Sequence, residues 1–376
     1  MRIAFLVERP TQFEAPFYRF AAQDPAHELR VLFTGGSGLA SPVFDPELGT
    51  SVSWGIDLLG GYPSEICPAN GAATWLRERL RPERCDLLIA NGYTQPLYRL
   101  GTRLARKAGI ATALRLDSVL FDGSLVRNLV KRLLFATYMK RMYDLFLGVG
   151  SLTLEYLRTF GVPAERMGLF PYAVDVDDFR QRSRLSPEER TAMRTRLGVP
   201  AGPQVILSLA KLSPREAPWD LLRAFARLEG GNAWLVLAGD GPERTALEQA
   251  AGPQVRFPGY IPYPELPALY AAADLFVHPA RQERWGVSVQ EALACGLPVI
   301  ASSRVGAAFD LVETGGNGFL YTAGNNDELA ARLGDALALP ARRVRETSAA
   351  VLARWDYAAA WDGLLAAAAR VTGGGK

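Results

Sequence analysis

Short apolar runs alternate with amphipathic segments along almost the whole chain. The first run covers residues 2–7 and is followed by helical periodicity up to residue 22, and the same order recurs towards the C-terminus. Apolar runs of about four to eight residues between turn residues are typical of strands buried in a parallel sheet. Because parallel strands need crossover connections, which are usually helices, the pattern predicts an α/β protein with doubly wound parallel sheets.

The same pattern predicts the individual elements. Predicted strands cover residues 2–7, 29–33, 86–90, 111–116, 145–149, 204–210, 234–238, 254–257, 275–278 and 299–302. Predicted helices cover residues 17–22, 74–80, 96–107, 124–143, 152–160, 240–250, 266–272, 327–339, 341–354 and 357–370. Residues 34–72 are rich in Gly, Ser and Pro, which predicts an irregular excursion between two of these elements.

The length of the chain indicates two domains. Its 376 residues exceed what one hydrophobic core usually holds. Residues 180–203 are charged and helical and end in a run of Gly and Pro, which is typical of a domain boundary. We therefore expect an N-terminal domain over residues 1–180 and a C-terminal domain over residues 181–356.

Composition narrows the class of protein. Apolar residues make up 49% of the chain and charged residues 22%, as in soluble globular proteins, and the net charge of +3 is too small to indicate nucleic-acid binding. No apolar run approaches the roughly 20 residues that span a bilayer, and the first is too short for a signal peptide. The scattered Cys67, Cys85 and Cys295 lack metal-ligand spacing, which predicts reduced thiols in a cytoplasmic protein.

The segment 279–298 carries the clearest chemistry. Glu283 lies in a polar loop after an apolar strand, and a helix is predicted to begin at residues 286–288 and to end at Gly296. Free amides at such a helix start attract anions, most often phosphate. Glu291 lies about a turn and a half further on, where its carboxylate can reach a hydroxyl group attached to that phosphate. Two carboxylates that flank an anion site suit a sugar nucleotide, while two ordinary surface glutamates are the plainer alternative.

The run from Glu283 to Ser302 resembles the Glu-x7-Glu signature of retaining glycosyltransferases of family 4. Gly259-Tyr-Ile, Val305-Gly-Ala and Asn317-Gly-Phe-Leu extend the resemblance, which covers most of residues 170–370. It implies the GT-B fold, in which two Rossmann-like doubly wound parallel-sheet domains face a cleft. The acceptor would then lie against the N-terminal domain and the donor against the C-terminal one. The last helix, within residues 357–376, would pack back on the N-terminal domain.

The resemblance also implies roles for residues of the C-terminal domain. Glu291 would hold the ribose hydroxyls, and Glu283 would orient the transferred sugar and stabilise positive charge at its anomeric carbon. The donor phosphates would contact Lys211, Arg215 and the amides of Gly286, Val287 and Ser288. The nucleotide base would contact the main chain of Gly259, Tyr260 and Ile261.

Three positions depart from the family pattern. The family usually has Arg at the position of Lys211 and a lysine at the position of Glu216, so Arg215 would have to supply the second positive charge. Many members also have a histidine near Asp117, where the aspartate would hydrogen-bond a sugar hydroxyl or simply serve as a turn or helix-cap residue. His278 is predicted to be structural.

The N-terminal domain carries two weaker signals. Gln12 and Phe13 follow the first strand, where related transferases contact the acceptor or the sugar, although a plain surface loop explains them equally. Residues 124–143 predict a basic amphipathic helix that can rest on an anionic membrane or meet a lipid-linked pyrophosphate, the alternative being a solvated face. We expect a cytoplasmic protein with peripheral contact to the inner face of the cell membrane.

The resemblance therefore implies a metal-independent hexosyltransferase that uses a UDP- or GDP-sugar and a saccharide, lipid-linked or small-molecule acceptor. The segment from Trp54 to Pro63 resembles polysaccharide-assembly transferases, which favours cell-surface polysaccharide or glycolipid assembly over natural-product glycosylation. No cofactor is expected, and no Asp-x-Asp metal motif accompanies the Glu-x7-Glu signature. A nucleotide-sugar-binding partner subunit with little turnover is the main alternative, because Glu216 and the missing histidine depart from the family pattern. An epimerase or a phosphorylase of the same fold is disfavoured by the signature.

Overall fold

The computed structural model describes residues 1–35, 43–45, 50–52, 55–121, 125–228 and 232–372. The chain divides into two compact units. Unit 1 contains Met1–Ala40, Asp57–Val174 and Tyr357–Lys376, and unit 2 contains Ser41–Ile56 and Asp175–Asp356. Trp54, which the sequence places in a polysaccharide-assembly segment, lies outside the described residues.

Unit 1 is built on a seven-stranded parallel sheet in the order β5-β2-β1-β6-β7-β8-β9. Its strands are β1 (Arg2–Val7), β2 (Glu28–Phe33), β5 (Ser64–Ile66), β6 (Leu87–Ala90), β7 (Ala111–Leu116), β8 (Leu145–Gly148) and β9 (Met167–Leu169). The central strands are buried at almost every position, as expected for a parallel sheet that is covered on both faces.

Helices cover the faces of this sheet. They are α1 (Glu14–Ala21), α2 (Ala72–Arg79), α3 (Pro96–Lys107), α4 (Leu125–Leu134), α5 (Lys140–Met142), α6 (Ser151–Thr159) and the last helix of the chain, α16 (Tyr357–Thr372). A π-helical turn, Phe135–Met139, joins α4 to α5. The last helix packs against β9, β8 and α1, and the Trp361 indole donates a hydrogen bond of 2.8 Å to Asp24.

Unit 2 has a six-stranded parallel sheet in the order β12-β11-β10-β13-β14-β15. The strands are β10 (Gln204–Leu209), β11 (Ala233–Ala238), β12 (Val255–Gly259), β13 (Leu275–His278), β14 (Val299–Ser302) and β15 (Gly318–Tyr321). A separate antiparallel pair consists of β3 (Val43–Asp45) and β4 (Thr50–Val52).

The helices of unit 2 alternate with these strands. They are α7 (Val176–Arg182), α8 (Pro187–Arg196), α9 (Pro218–Phe225), α10 (Arg244–Ala250), α11 (Leu266–Ala272), α12 (Val287–Ala294), α13 (Ala308–Leu311), α14 (Asn326–Leu337) and α15 (Ala341–Leu352). Short 3-10 turns cover Ala164–Arg166 in unit 1 and Tyr263–Glu265 in unit 2. The predicted α/β class with two doubly wound parallel sheets is therefore confirmed.

Each sheet has one point where the strand order reverses. In unit 1 the chain leaves β1 towards β2 and β5, and then returns to β6 on the other side of β1. In unit 2 it leaves β10 towards β11 and β12, and then returns to β13. Loops diverge at the carboxyl ends of strands beside such a reversal, and ligands bind in the resulting crevice.

A few element boundaries differ from the sequence prediction. Helix α1 begins at Glu14, three residues before the predicted start, where the Glu14 amide donates to the Thr11 hydroxyl. Helix α10 begins at Arg244 instead of residue 240, because Gly241 adopts a φ of 158° that no helix accommodates. The excursion predicted to be irregular also contains β3, β4 and β5.

Candidate functional site

The carboxyl ends of β10 and β13 carry several of the predicted residues. These two strands are neighbours at the reversal of the unit 2 sheet, so the loops that follow them meet. Lys211, Arg215 and Glu216 follow β10, whereas Glu283 follows β13. A main-chain hydrogen bond of 2.8 Å from Arg281 to the Arg215 carbonyl ties the two loops together.

The Glu283 loop is held by the turn after β14. The Glu283 amide donates to the Arg304 carbonyl at 2.9 Å, and the Gly306 amide donates back to the Glu283 carbonyl at 3.0 Å. A side chain at Gly306 would collide with the Arg284 carbonyl, since a Cβ there would lie 2.0 Å from that oxygen. This contact gives a physical reason for the Val305-Gly-Ala run.

The residue before helix α12 is a glycine that no other residue replaces easily. Gly286 has a φ of 97°, and a Cβ there would lie 2.9 Å from Val305 and 3.3 Å from the His278 ring. Gly286 is buried, while Val287 and Ser288 in the first turn are half-buried. The main chain therefore comes close to β13 and presents its first amides at the reversal of the sheet, as an anion site requires.

Three polar side chains converge under this helix start. Glu216, His278 and Glu283 each bring one carboxylate oxygen or ring nitrogen within 4.8 Å of the other two. Glu216 and His278 are buried, at 4% and 3% exposure. Burial is the main cause that raises the pKa of the Glu216 carboxyl; the nearby His278 lowers it, and Glu283 raises it further.

Glu291 lies deeper in the same helix. Its side chain is 5% exposed, and one carboxylate oxygen accepts a hydrogen bond of 2.8 Å from the Tyr270 hydroxyl. Burial raises the pKa of Glu291 from 4.5 to about 7, although the Tyr270 hydroxyl opposes this shift. Glu291 therefore changes its charge near neutral pH.

The two predicted cations differ in their surroundings. Lys211 is half-buried directly after β10. Arg215 is exposed and forms an ion pair of 2.7 Å with Glu216, so part of its charge is directed towards that carboxylate. Ala217 follows with a φ of 52°, a left-handed conformation that is strained for alanine.

The predicted base-contacting segment follows β12. Gly259 has a φ of 81°, and its carbonyl accepts a hydrogen bond of 2.8 Å from the Gly239 amide. Tyr260 and Ile261 are half-buried. This segment lies at the carboxyl edge of the same sheet, two strands away from β10.

The predicted residues of unit 1 surround a buried ion pair. Arg115 donates to Glu14 at 2.8 Å, and its guanidinium lies over the rings of Phe170 and Tyr172, 4.2 and 4.3 Å from their centres. Burial is the main cause that raises the pKa of Glu14, which Arg115 opposes and the charge of Asp117 reinforces.

Asp117 follows β7 as a half-buried residue. Phe13 contacts the Tyr172 ring edge-on at 5.4 Å, and Gln12 precedes it in the turn before α1. The structure thus gathers Gln12, Phe13 and Asp117 at one edge of the unit 1 sheet.

The sequence does not predict three of the contacts around the candidate site residues. Tyr270 is a buried helix residue whose hydroxyl has no sequence signature, and Glu14 falls outside the predicted α1. His278, which the sequence predicts to be structural, lies beside Glu216 and Glu283. Its position at the last residue of β13 was a usable signal, because carboxyl ends of parallel strands line ligand sites.

One acidic pair has a structural explanation. Asp175-Val-Asp177 has the Asp-x-Asp spacing, so the statement that the sequence has no such motif is wrong as far as spacing is concerned. The Asp175 side chain caps α7 by accepting a hydrogen bond of 2.9 Å from the Asp178 amide.

Comparison with known proteins relates part of the chain to a protein family. Residues 189–351 match the model of "Glycosyl transferases group 1". The matched stretch includes every predicted residue of unit 2, from Lys211 to Glu291.

Two curated relatives share about a third of their aligned residues with the chain. The GDP-mannose-dependent alpha-(1-6)-phosphatidylinositol monomannoside mannosyltransferase of Mycolicibacterium smegmatis is 33% identical over 202 residues, which are 50% of this chain and 51% of the relative. The GDP-mannose-dependent alpha-mannosyltransferase of Mycobacterium tuberculosis is 33% identical over 242 residues, which are 63% of this chain and 60% of the relative. The chain thus spans about half the length of the first relative, and less than two thirds of the second.

A solved structure agrees with the fold over nearly the whole chain. Anabaena HepE in complex with UDP superposes with a TM-score of 0.74 at 22% identity, covering 97% of this chain and 99% of that one. At this identity the likeness concerns the fold alone, which is the GT-B fold that the sequence predicts.

Proposed function

We propose that the chain is a retaining hexosyltransferase, because residues 189–351 match the model of the group 1 glycosyl transferases. It takes a hexosyl group from a UDP- or GDP-sugar and passes it to a hydroxyl acceptor in the assembly of a cell-surface polysaccharide or glycolipid. The names of the two mannosyltransferase relatives favour a GDP-sugar, whereas HepE was solved with UDP.

The observation that carries this proposal is the arrangement around α12. An open helix start and the two carboxylates of the Glu-x7-Glu signature lie in one unit, at the reversal of its sheet. The diphosphate of the donor would bind the amides of Gly286, Val287 and Ser288. Glu291 would accept hydrogen bonds from the ribose hydroxyls, and the main chain of residues 259–261 would contact the base.

Transfer would depend on charge complementarity in this arrangement. When the sugar–phosphate bond breaks, negative charge develops on the phosphate and positive charge on the anomeric carbon. Lys211 and the helix amides would stabilise the phosphate, with Arg215 as a second cation that Glu216 partly neutralises. Glu283 would stabilise the sugar, and preorganised charges of this kind are usually the largest contribution to catalysis.

In this proposal the acceptor substrate binds to unit 1. Asp117 would bind a sugar hydroxyl, while Gln12 and Phe13 would contact the acceptor. The Phe13–Tyr172 contact and the buried Glu14–Arg115 pair hold these loops in place, which is what a site built on strand ends needs.

An anionic membrane surface is the partner that we propose for α4. Leu129, Val130 and Leu133 are 69%, 61% and 64% exposed, and the exposed Arg132 and Arg141 lie on the same helical segment. Exposed apolar residues next to cations fit a surface of anionic lipid. None of the described helices is both long and apolar enough to cross a bilayer.

Sedimentation with vesicles tests this surface. The protein should sediment with vesicles that contain phosphatidylglycerol and stay in solution with phosphatidylcholine alone. Replacing Leu129 and Leu133 by aspartate should abolish binding, while a Leu120→Asp variant, outside α4, serves as control. Equal binding to both lipids, or binding that survives the double substitution, contradicts the proposal.

Calorimetric titration with UDP, GDP, ADP and dTDP tests the donor site. One nucleotide should bind, and Glu291→Ala should weaken it by roughly 1–3 kcal/mol through the loss of charged hydrogen bonds. Glu313→Ala provides the control, because the Glu313 side chain is exposed and pairs only loosely with Arg354. Unchanged affinity in Glu291→Ala would remove Glu291 from the site.

The buried Glu216 favours a second candidate function, a binding subunit that does not turn over. Retained nucleotide binding without transfer or donor hydrolysis would support that candidate. If no nucleotide binds, the donor-site proposal itself is wrong.

A further inference from the structure

The Glu291 carboxylate accepts a single hydrogen bond from the described residues. The Tyr270 hydroxyl donates to its Oε2 atom at 2.8 Å. Within the part of the chain that the structure describes, the other oxygen, Oε1, has no hydrogen-bond partner and is not fully buried. A charged carboxylate has about four acceptor positions on its two oxygens. The contact with Tyr270 therefore restrains the carboxylate and leaves Oε1 open.

The Tyr270 ring is held firmly in place. It is fully buried in α11 and packs edge-on against Phe276 of β13, with 5.5 Å between the ring centres. The Phe179 ring of α7 lies 6.4 Å away, and α7 packs against both α11 and α12. A ring that is fixed in this way brings its hydroxyl to one point, as a residue that orients a binding group must do.

The Tyr270 hydroxyl is a permanent donor. Burial is the main cause that raises the pKa of Tyr270 well above its usual value, and the charge of Glu291 raises it further. The hydroxyl therefore keeps its proton, and its hydrogen bond favours the charged form of Glu291. A charged carboxylate accepts stronger hydrogen bonds than a neutral acceptor does.

We propose that Tyr270 is a positioning residue for ribose recognition, an inference that rests on the proposed function. Tyr270 engages Oε2 of Glu291 and turns Oε1 towards the donor, where this oxygen accepts hydrogen bonds from the ribose hydroxyls. Tyr270 does not touch the nucleotide and acts through Glu291. It thereby sets how strongly the site prefers a ribose to a deoxyribose.

A purely structural contact would behave differently. The same hydrogen bond satisfies a buried carboxylate and joins α11 to α12, so a structural role predicts that Tyr270→Phe lowers stability alone. The affinities for a ribonucleotide and for its deoxy analogues would then change by the same factor. The ratio of these affinities therefore distinguishes positioning from structural support.

Calorimetric titration measures this ratio, using the nucleoside diphosphate that binds the wild type and its 2′-deoxy and 3′-deoxy analogues. The wild type should bind the ribonucleotide at least about tenfold more tightly than one or both analogues, which lose a hydrogen bond to a charged group. Tyr270→Phe should weaken the ribonucleotide and leave those analogues nearly unchanged. The preference for ribose should thus shrink by at least about threefold.

Tyr263→Phe is the matched control. Tyr263 is also buried and contacts the same Phe179 ring at 5.8 Å. Burial and then the charge of Glu291 raise the pKa of Tyr263, which places it near that carboxylate, but the hydrogen bond to Glu291 comes from Tyr270. Tyr263→Phe should keep the wild-type preference for ribose. An equal loss in both variants overturns the positioning role, as does an unchanged preference in Tyr270→Phe.

Replacement of Tyr270 by 3-fluorotyrosine gives a second test if Tyr270→Phe does not fold, because it keeps the ring and the hydroxyl. The single fluorine resonance should shift when the ribonucleotide binds, and shift less with an analogue that lacks a contacted hydroxyl. Equal shifts with the ribonucleotide and both analogues overturn the proposal.

The same titrations separate this inference from the proposed function. Absence of nucleotide binding in the wild type would overturn both. If nucleotide binds and Glu291→Ala loses the preference for ribose while Tyr270→Phe keeps it, the donor site stands and the role of Tyr270 is refuted.

Discussion

Replacing Glu291 by glutamine should change how the stability of the protein depends on pH. The Glu291 carboxyl is 5% exposed, and burial raises its pKa from 4.5 to about 7. The folded protein therefore holds a proton on Glu291 between these two values, where the unfolded chain has lost it. Since the folded state binds the extra proton, the free energy of unfolding must fall as the pH rises through this window.

The size of the effect follows from the same values. Each pKa unit corresponds to about 1.4 kcal/mol, so the rise from 4.5 to about 7 predicts a loss of about 3 kcal/mol between pH 4.5 and pH 8. Most of the loss should occur below the folded pKa and level off above it. Glutamine has a similar shape and does not ionise, so Glu291→Gln should lack this contribution at every pH.

Urea unfolding of wild type and Glu291→Gln at a series of pH values measures the difference. The variant should gain stability relative to the wild type from pH 5 to pH 8, while Glu313→Gln, at an exposed site, should follow the wild type throughout. Other titrating groups contribute equally to both proteins and cancel in the comparison. A difference that stays constant over this range would refute the reasoning.

Three further predictions concern single contacts. Tyr270→Phe removes the hydroxyl that lowers the pKa of Glu291, so the stability loss should extend to higher pH in the same urea series. Arg115→Met leaves Glu14 buried without its partner and should cost about 3–5 kcal/mol of unfolding free energy; adding Glu14→Gln should restore part of it, and no recovery would argue against the ion pair as the cause. Ala217→Gly should raise stability by up to about 1 kcal/mol by relieving the left-handed φ of 52°, and a drop in the denaturation midpoint would contradict that strain.

The sequence predicts the strands better than it predicts what meets at their ends. The bounds of β7, β13 and β14 agree with the prediction to the residue, because apolar runs between polar turns are a local signal. The start of α10 was misplaced, since the φ of Gly241 depends on the approach of the Leu212 carbonyl from a distant turn.

In the candidate site, too, local signals are predicted from the sequence and contacts between distant segments are not. Glu283 and Glu291 can be predicted as a pair because both carboxylates belong to one continuous signature. The grouping of Glu216 with His278 was missed because it depends on β10 and β13 being neighbours, although 65 residues separate the end of β10 from the start of β13 in the strand bounds Gln204–Leu209 and Leu275–His278. Adjacency of that kind is a property of sheet topology, and local periodicity does not contain it.

The place of α16 in unit 1 has a consequence for synthesis on the ribosome. Gly168 of β9 packs so closely on this helix that a Cβ there would lie 2.6 Å from the Ala367 methyl group, and Phe17 contacts Tyr357 and Trp361. All of unit 2 is translated before these partners of Phe17 and Gly168 emerge. Unit 2 can therefore mature during translation, whereas the nascent N-terminal sheet keeps an apolar face uncovered until the last helix leaves the exit tunnel. Chaperones should therefore bind mainly to unit 1, because its first strands are translated before unit 2 and its last helix is translated after unit 2.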